Sequence, residues 1–172
     1  IDGPEAVPVL ECLAEQNFPA VVHCGILRIP LRERLAIPRQ LDLRAADPLH
    51  VVRAADRFHG VPFVIPSFGA GFFRETLMAG AQAPNVMVDT SSSNGWMATD
   101  PSRPSLADVF ERALAVFGPE RILFGTDSAT FPRGWRRDVF LAQKEALGAC
   151  GIRDEERARI LGLNASRLLR IH

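Results

Sequence analysis

The chain has 172 residues, 47% of them hydrophobic and 23% charged, and its twenty Lys and Arg balance twenty Asp and Glu to a formal net charge of zero. High apolar content without net charge excludes disorder as the main state, and the length predicts one domain, residues 1–172, with a core of its own. No basic excess exists to neutralise phosphates, which argues against a nucleic-acid or acidic-membrane surface, and no apolar run approaches the roughly 20 residues that span a bilayer.

Residues 5–16 place Val7, Leu10, Leu13 and Ala14 on one face and predict the first helix. A short β-rich run follows at 20–24, after Pro19. Residues 28–46 hold Pro30, Pro38 and scattered charges with no clear period, and read as a long connection, a kind of segment that is often functional. Asp47 and Pro48 open a second helix that runs to about His59 before Gly60, with a capping carboxylate and a proline in the first turn. The next strand is expected at 62–66. A weaker helix follows at 73–82, interrupted near its end by Gly80, and then a strand at 85–90. Ser105 caps a helix over 106–117 with Gly118 just past its end, and a fourth strand is expected at 121–127. Residues 136–150 form the next helix with Gly151 as its stop, Asp154 opens another to about Leu161, and Asn164 begins a last turn or two.

Helix then strand, four times over, predicts an α/β fold of βα units with a parallel sheet. Each strand is short, apolar and bounded by Gly or Pro, as expected for strands buried on both faces. Four parallel strands leave two unpaired edges, which favours association, so a homodimer or a partner chain is expected. The start, Ile1-Asp2-Gly3-Pro4-Glu5, has no secretory pattern and no initiator Met, so a processed or partial product is expected. Cys12, Cys24 and Cys150 make neither a CxxC spacing nor an even framework, which points to a reducing, cytoplasmic setting.

Active sites of parallel α/β folds lie at the carboxyl ends of the strands. Here those ends read His23-Cys24-Gly25, Pro66-Ser67-Phe68-Gly69-Ala70-Gly71, Asp89-Thr90-Ser91 and Gly125-Thr126-Asp127-Ser128. His23 is a candidate metal ligand through a neutral ring nitrogen, and Asp127 a candidate ligand or general base. Asp89 is expected to anchor the turn that follows it. Cys24 should point to the face opposite His23 and serve packing. Ser67 does not sit in a G-x-S-x-G elbow. Gly69 and Gly71 suit close backbone packing, although a small domain binding an anion at that turn is a further reading. His50, His59 and His172 are assigned no chemistry. Segments 28–46, 95–103 and 130–135 are candidates for specificity, with Trp96 in the second, and Arg28, Arg74 and Arg133 are candidate carboxylate-binding forks.

These residues together resemble the amidohydrolase-related family, in its branch of metal-dependent barrels that are similar to aminocarboxymuconate-semialdehyde decarboxylase. The likeness rests on Val22-His23-Cys24-Gly25, on Pro66-Ser67-Phe68-Gly69 through Glu75, on Asn85 through Asn94, on Phe124-Gly125-Thr126-Asp127, and on Asn164-Ala165-Ser166-Arg167-Leu168-Leu169. It implies the C-terminal half of a TIM (β/α)8 barrel, strands five to eight, which hydrolyses amide-like bonds or decarboxylates a small organic acid with a divalent metal, zinc or manganese. It implies that His23 and Asp127 are metal ligands and that Asp127 and Ser67 occupy the catalytic positions. Ser67 falls where the family has a sixth-strand His, and the first-strand His-x-His pair has no counterpart among the 172 residues. A whole barrel takes about 250 residues. Two readings follow: a metal-dependent enzyme half that needs its remaining ligands from elsewhere and whose metal this chain alone does not guarantee, or a non-catalytic half-barrel that serves assembly or binding.

Overall fold

The computed structural model of the chain describes all residues except 28, 39, 40, 92, 93, 129–133 and 172, and leaves aside the side chains at 30, 31 and 94. Four strands, β1 (Ala20–Val21), β2 (Phe63–Ile65), β3 (Val86–Asp89) and β4 (Ile122–Leu123), form one sheet in the order β1-β2-β3-β4. Every pair is parallel, with Val21 beside Val64, Val64 beside Met87, and Asp89 beside Leu123. Each lies inside an expected run but is shorter, because ladder pairing stops where the chain turns toward polar loops. The helices are α1 (Val7–Gln16), α2 (Pro30–Arg34), α3 (Leu49–Arg57), α4 (Phe73–Gln82), α5 (Leu106–Phe117), α6 (Arg137–Ala149), α7 (Asp154–Ala158) and α8 (Asn164–Leu169). Among the described residues no helix is long and apolar enough to cross a membrane.

Alternation along the strands sorts side chains onto two faces. Phe63, Ile65, Val86, Val88 and Ile122 are fully buried against a helix layer that includes Leu10, Val51, Phe110, Ala113 and Leu147. Burying one such side chain contributes about 1.5–3 kcal/mol. Val64, Met87 and Leu123 face the other way and are covered by Ala165 and Leu168 of α8. With both faces buried, the strands need no polar alternation, which is why they read as unbroken apolar runs.

The helix ends follow their local chemistry. The Asp47 carboxylate accepts the Leu49 N–H at 2.9 Å, and Ser105 and Asp108 form a reciprocal capping box. Three features depart from expectation. First, the stretch 28–46 contains α2 and a 3-10 turn, Leu43–Ala46, whose entry is capped by Asp42 accepting from the Arg44 N–H at 3.0 Å. Elements of four and five residues are too short to show a period. Second, α4 continues through Gly80, because the missing side chain leaves room for the Phe117 ring. Third, α7 and α8 join into one rod through a π-helical turn, Arg159–Leu163.

That rod changes the account of the edges. The Phe124 N–H on the outer side of β4 donates to the Ile160 carbonyl at 3.0 Å. The buried Asn164 amide donates to the carbonyls of Pro119 and Ile122 at 2.7 and 2.8 Å. The β4 edge is therefore covered, whereas Val21 on β1 is 68% exposed.

At the amino ends of the strands, side chains close off carbonyls of helix ends and strand starts that have no backbone partner in their own element. Asn85 donates to the carbonyls of Ala55, Phe58 and Val61 behind α3. Arg121 donates to Gly80, Val86, Val116 and Phe117 carbonyls at 2.6–3.1 Å, and its guanidinium lies 5.2 Å over the Phe117 ring. Burial pulls its pKa below the ordinary arginine value. Replacing Arg121 with Met leaves several of these carbonyls without donors and is expected to cost about 2–4 kcal/mol. Urea unfolding measures this, and an unchanged midpoint would refute the capping role.

Candidate functional site

Ala20, Val22 and Cys24 pack toward the helix layer, so Val21 and His23 stand on the opposite face. Asp89, paired with Leu123, shares that face. Beyond the carboxyl ends of the strands this face opens into a cleft of about 670 Å³. His23, Ser67, Ser91 and Asp127 line it together with Trp96, Thr99 and the apolar side chains of Ile26, Leu27, Pro66, Ala70 and Ala98. The structure thus brings the strand-end candidates His23, Ser67 and Asp127 to one cavity, together with Trp96 from the candidate specificity segment 95–103.

Asp89 ties the end of β2 to the end of β3. Its carboxylate accepts the Ser91 N–H at 2.6 Å and the Ser67 N–H at 3.2 Å. The Ser67 and Ser91 hydroxyls lie 3.3 Å apart. Asp89 is therefore a scaffold for two hydroxyl-bearing turns, as its anchoring assignment expects.

After β2 five successive residues have left-handed backbone, with φ of 56° at Ser67, 51° at Phe68, 80° at Gly69, 43° at Ala70 and 105° at Gly71. For each of the three residues that carry a Cβ this costs about 1–2 kcal/mol. The Phe68 ring offsets part of it, buried edge-on between Phe73 and Phe110 at centroid distances of 6.0 and 5.4 Å. The Ala70 carbonyl accepts the Ile26 N–H at 2.8 Å, so the turn after β1 packs backbone to backbone on this run, in line with the close-packing reading of Gly69 and Gly71. Such strain persists where the surroundings over-determine it, and it gathers at functional sites.

Asp127 also has positive φ, 53°, in an exposed position. Aspartate tolerates this region better than most residues. On either side of it the Thr126 and Ser128 hydroxyls are 2.6 Å apart, and Ser128 Oγ accepts the Arg136 N–H at 2.9 Å. The Arg136 guanidinium is held above its ordinary pKa chiefly by its paired hydrogen bonds and ion pair with Asp138, and the Asp127 carboxylate adds to this.

The remaining candidates fall elsewhere. Arg74 stands exposed beside Glu75 at 3.9 Å, outside the cleft lining. Arg28 and Arg133 lie outside the described residues. Of the segment 95–103, Gly95, Trp96, Ala98 and Thr99 line the cleft, and Trp96 is buried against Phe73 at 5.6 Å. Trp135 is 60% exposed and packs on Phe140. Ser91 went unassigned in the sequence, where nothing separates it from its serine neighbours.

A zinc site takes three or four protein ligands. Among the described residues no group of three or more His, Cys, Asp or Glu side chains is placed to hold a metal ion. His23 and Asp127 offer one imidazole and one carboxylate, so these side chains do not by themselves make a metal site. Cys24 does not join them: it is 1% exposed, its thiol meets the Val22 carbonyl, and burial pushes its pKa up to about 12.

Four parallel strands in sequential order, a main helix layer on one face and a cleft at the carboxyl ends match half of a TIM barrel. The amidohydrolase family model matches residues 1–171, and the chain belongs to that family. No curated protein matches it. Among solved structures it is similar to an uncharacterised TIM-barrel protein from Bordetella bronchiseptica, at 21% identity and a TM-score of 0.67, covering 98% of this chain and 51% of that one. It is similar to an amidohydrolase from Burkholderia multivorans, at 16% identity and a TM-score of 0.66, covering 99% and 59%. A dihydroxybenzoic acid decarboxylase from Polaromonas sp. JS666, with bound manganese and the inhibitor 2-nitroresorcinol, matches at 15% identity and a TM-score of 0.61, covering 99% and 55%. The chain spans little more than half the length of these structures, and at such identities the likeness speaks for the fold.

The thiols give a direct check on the site's chemistry. At pH 8 a thiol with a pKa of about 12 is ionised to only about one part in 10⁴. In the native chain a thiol reagent is expected to label exposed Cys12 and leave Cys24 untouched until the chain is denatured. Peptide mapping of the labelled protein reads the outcome, and rapid native labelling of Cys24 would overturn its assignment to packing.

Proposed function

We propose that the chain is the C-terminal half, strands five to eight, of a metal-dependent amidohydrolase-type enzyme that hydrolyses or decarboxylates a small organic acid or amide-like compound. The observation that carries this reading is the convergence of His23, Ser67 and Asp127 on one cleft at the carboxyl ends of parallel strands, in a chain of the amidohydrolase family. Manganese in the decarboxylase neighbour supports a divalent ion, manganese or zinc, as the group the family site uses. Such an ion would polarise a substrate oxygen and acidify bound water. Two donors on this chain are too few to hold it without further ligands. What this chain supplies is a binding wall and its polar fittings. Trp96, buried against Phe73, adds an apolar patch to the cleft lining. The Ser67 and Ser91 hydroxyls share one hydrogen bond and leave one O–H to offer a substrate oxygen, and Asp127 offers a carboxylate that accepts a proton. Ser67 has no pKa near neutrality, so its part is orientation rather than proton transfer.

The remaining ligands come, in this reading, from a partner chain on the open β1 edge, a second copy or another protein. Val21 and Phe18 are 68% and 57% exposed there, and Leu35 in the following connection is 60% exposed. If the enzyme reading fails, the same apolar edge supports the non-catalytic assembly module. Three free cysteines agree with a reducing cytoplasmic setting.

Metal analysis of the purified assembly tests the ligand assignment. Manganese or zinc is expected to drop by at least about tenfold in His23→Ala and in Asp127→Asn. Equal metal in the wild type and both variants would remove His23 and Asp127 from the ligand set. Light scattering at micromolar concentration tests the edge: a mass above that of one chain is expected, and a strictly monomeric species would defeat the partner proposal.

A further inference from the structure

Gln143 sits on α6 behind the sheet, on the side away from the cleft, and is fully buried. Its amide nitrogen donates to the carbonyls of Thr90 and Gly125 at 2.7 and 3.1 Å. Its carbonyl oxygen accepts from the Thr90 hydroxyl at 2.5 Å. Thr90 Oγ1 in turn accepts the Gly125 N–H at 3.1 Å. The last backbone bond between β3 and β4 runs from the Thr90 N–H to the Leu123 carbonyl, at 2.9 Å. Past that point Gln143 and Thr90 together take over the pairing of Gly125.

The position of this clamp matters more than its strength. Thr90 follows Asp89, whose carboxylate holds the Ser67 and Ser91 turns. Gly125 lies two residues before Asp127 and must approach closely, since a Cβ there would stand 2.9 Å from that of Ser91. The chain then enters the left-handed geometry of Asp127. We propose that Gln143 is a positioning residue: by holding Gly125 to Thr90, it fixes where the Asp127 carboxylate stands relative to Ser67 and Ser91. The proposal rests on the reading of the cleft as the substrate site and deepens it, because it names what sets the spacing between its two polar walls.

The test is nuclear magnetic resonance of the ligand-free chain, with Gln143→Met, Thr90→Val and Thr90→Ser variants. Gln143→Met keeps the side-chain volume and removes all three bonds. Thr90→Val removes the hydroxyl from the other partner, and so tests the same clamp should Gln143→Met not fold. Thr90→Ser retains the hydroxyl. Positioning predicts that Gln143→Met and Thr90→Val each speed Gly125 amide exchange at least about tenfold and shift the Asp127 carboxylate carbon signal. Val88 and Ile122 signals stay in place, and Thr90→Ser restores the wild-type pattern. An Asp127 signal that stays put while Gly125 exchange rises, or shifts spread equally through Val88 and Ile122, would reduce Gln143 to a stabilising contact and overturn the proposal. This outcome is independent of metal retention in Asp127→Asn, so failure of the cleft reading and failure of the Gln143 assignment are told apart.

Discussion

The hydrogen-bond ladder of this sheet ends before the chain reaches its cleft, and everything functional about the molecule is built beyond that end. β1 and β4 pair through two residues each, β2 through three and β3 through four. Buried backbone donors and acceptors still need partners once the ladder stops. At the carboxyl rim Asp89, Thr90 and Gln143 supply them; at the amino ends Asn85, Arg121 and Asn164 do. Six side chains thus finish what the strands begin. A rim made this way holds its loops through directed bonds to specific atoms, which a cluster of apolar contacts does not.

The same economy explains where strain is placed. Of eight non-glycine residues with positive φ among the described residues, four, Ser67, Phe68, Ala70 and Asp127, lie within a few residues of the carboxyl end of a strand. The energy that holds them comes from outside the cleft, through Phe68 between Phe73 and Phe110 and through the Gln143 amide behind Gly125. The apolar layer and the polar rim are therefore one mechanical system. A loss of volume at Phe110 would be felt at Ser67, although only Ser67 lines the cleft.

Much of the fold was legible in the sequence because its signals are local. Short apolar runs bounded by Gly and Pro gave all four strands, and Asp47 and Ser105 announced helix starts that the structure caps as read. The site was legible to the extent that strand ends were: His23, Ser67 and Asp127 share a cleft, joined by Trp96 from the connection 95–103, while Arg74 on a helix lies outside it. What stayed hidden is non-local. Gln143 looks like any polar residue on a helix until α6 is packed against the ends of β3 and β4. No propensity marks Ser67 and Phe68 as left-handed, because their conformation is imposed by partners 22 and 42 residues away, Asp89 and Phe110. The rod of α7 and α8 was read as two pieces, since a π-helical turn has no pattern of its own.

Edge chemistry bears on how such a half could be completed. Two identical four-stranded halves close into a ring only through two equal seams, each joining β1 of one copy to β4 of the other. The β4 side of that seam is already taken, by the bond from the Phe124 N–H to Ile160 and by Asn164 on the Ile122 carbonyl. Opening it exchanges those bonds at about 0.5–1.5 kcal/mol each. Moving the rod also uncovers Val64, Met87 and Leu123, which lose Ala165 and Leu168. At about 25 cal/mol per Å² of apolar surface returned to water, that second cost is the larger once the uncovered area passes a hundred Å² or so. A partner on β1 alone meets neither cost, since Val21 is exposed from the start. Association through β1 therefore comes first on energetic grounds, and closure at β4 demands a partner whose strand replaces both the bonds and the cover that the rod provides.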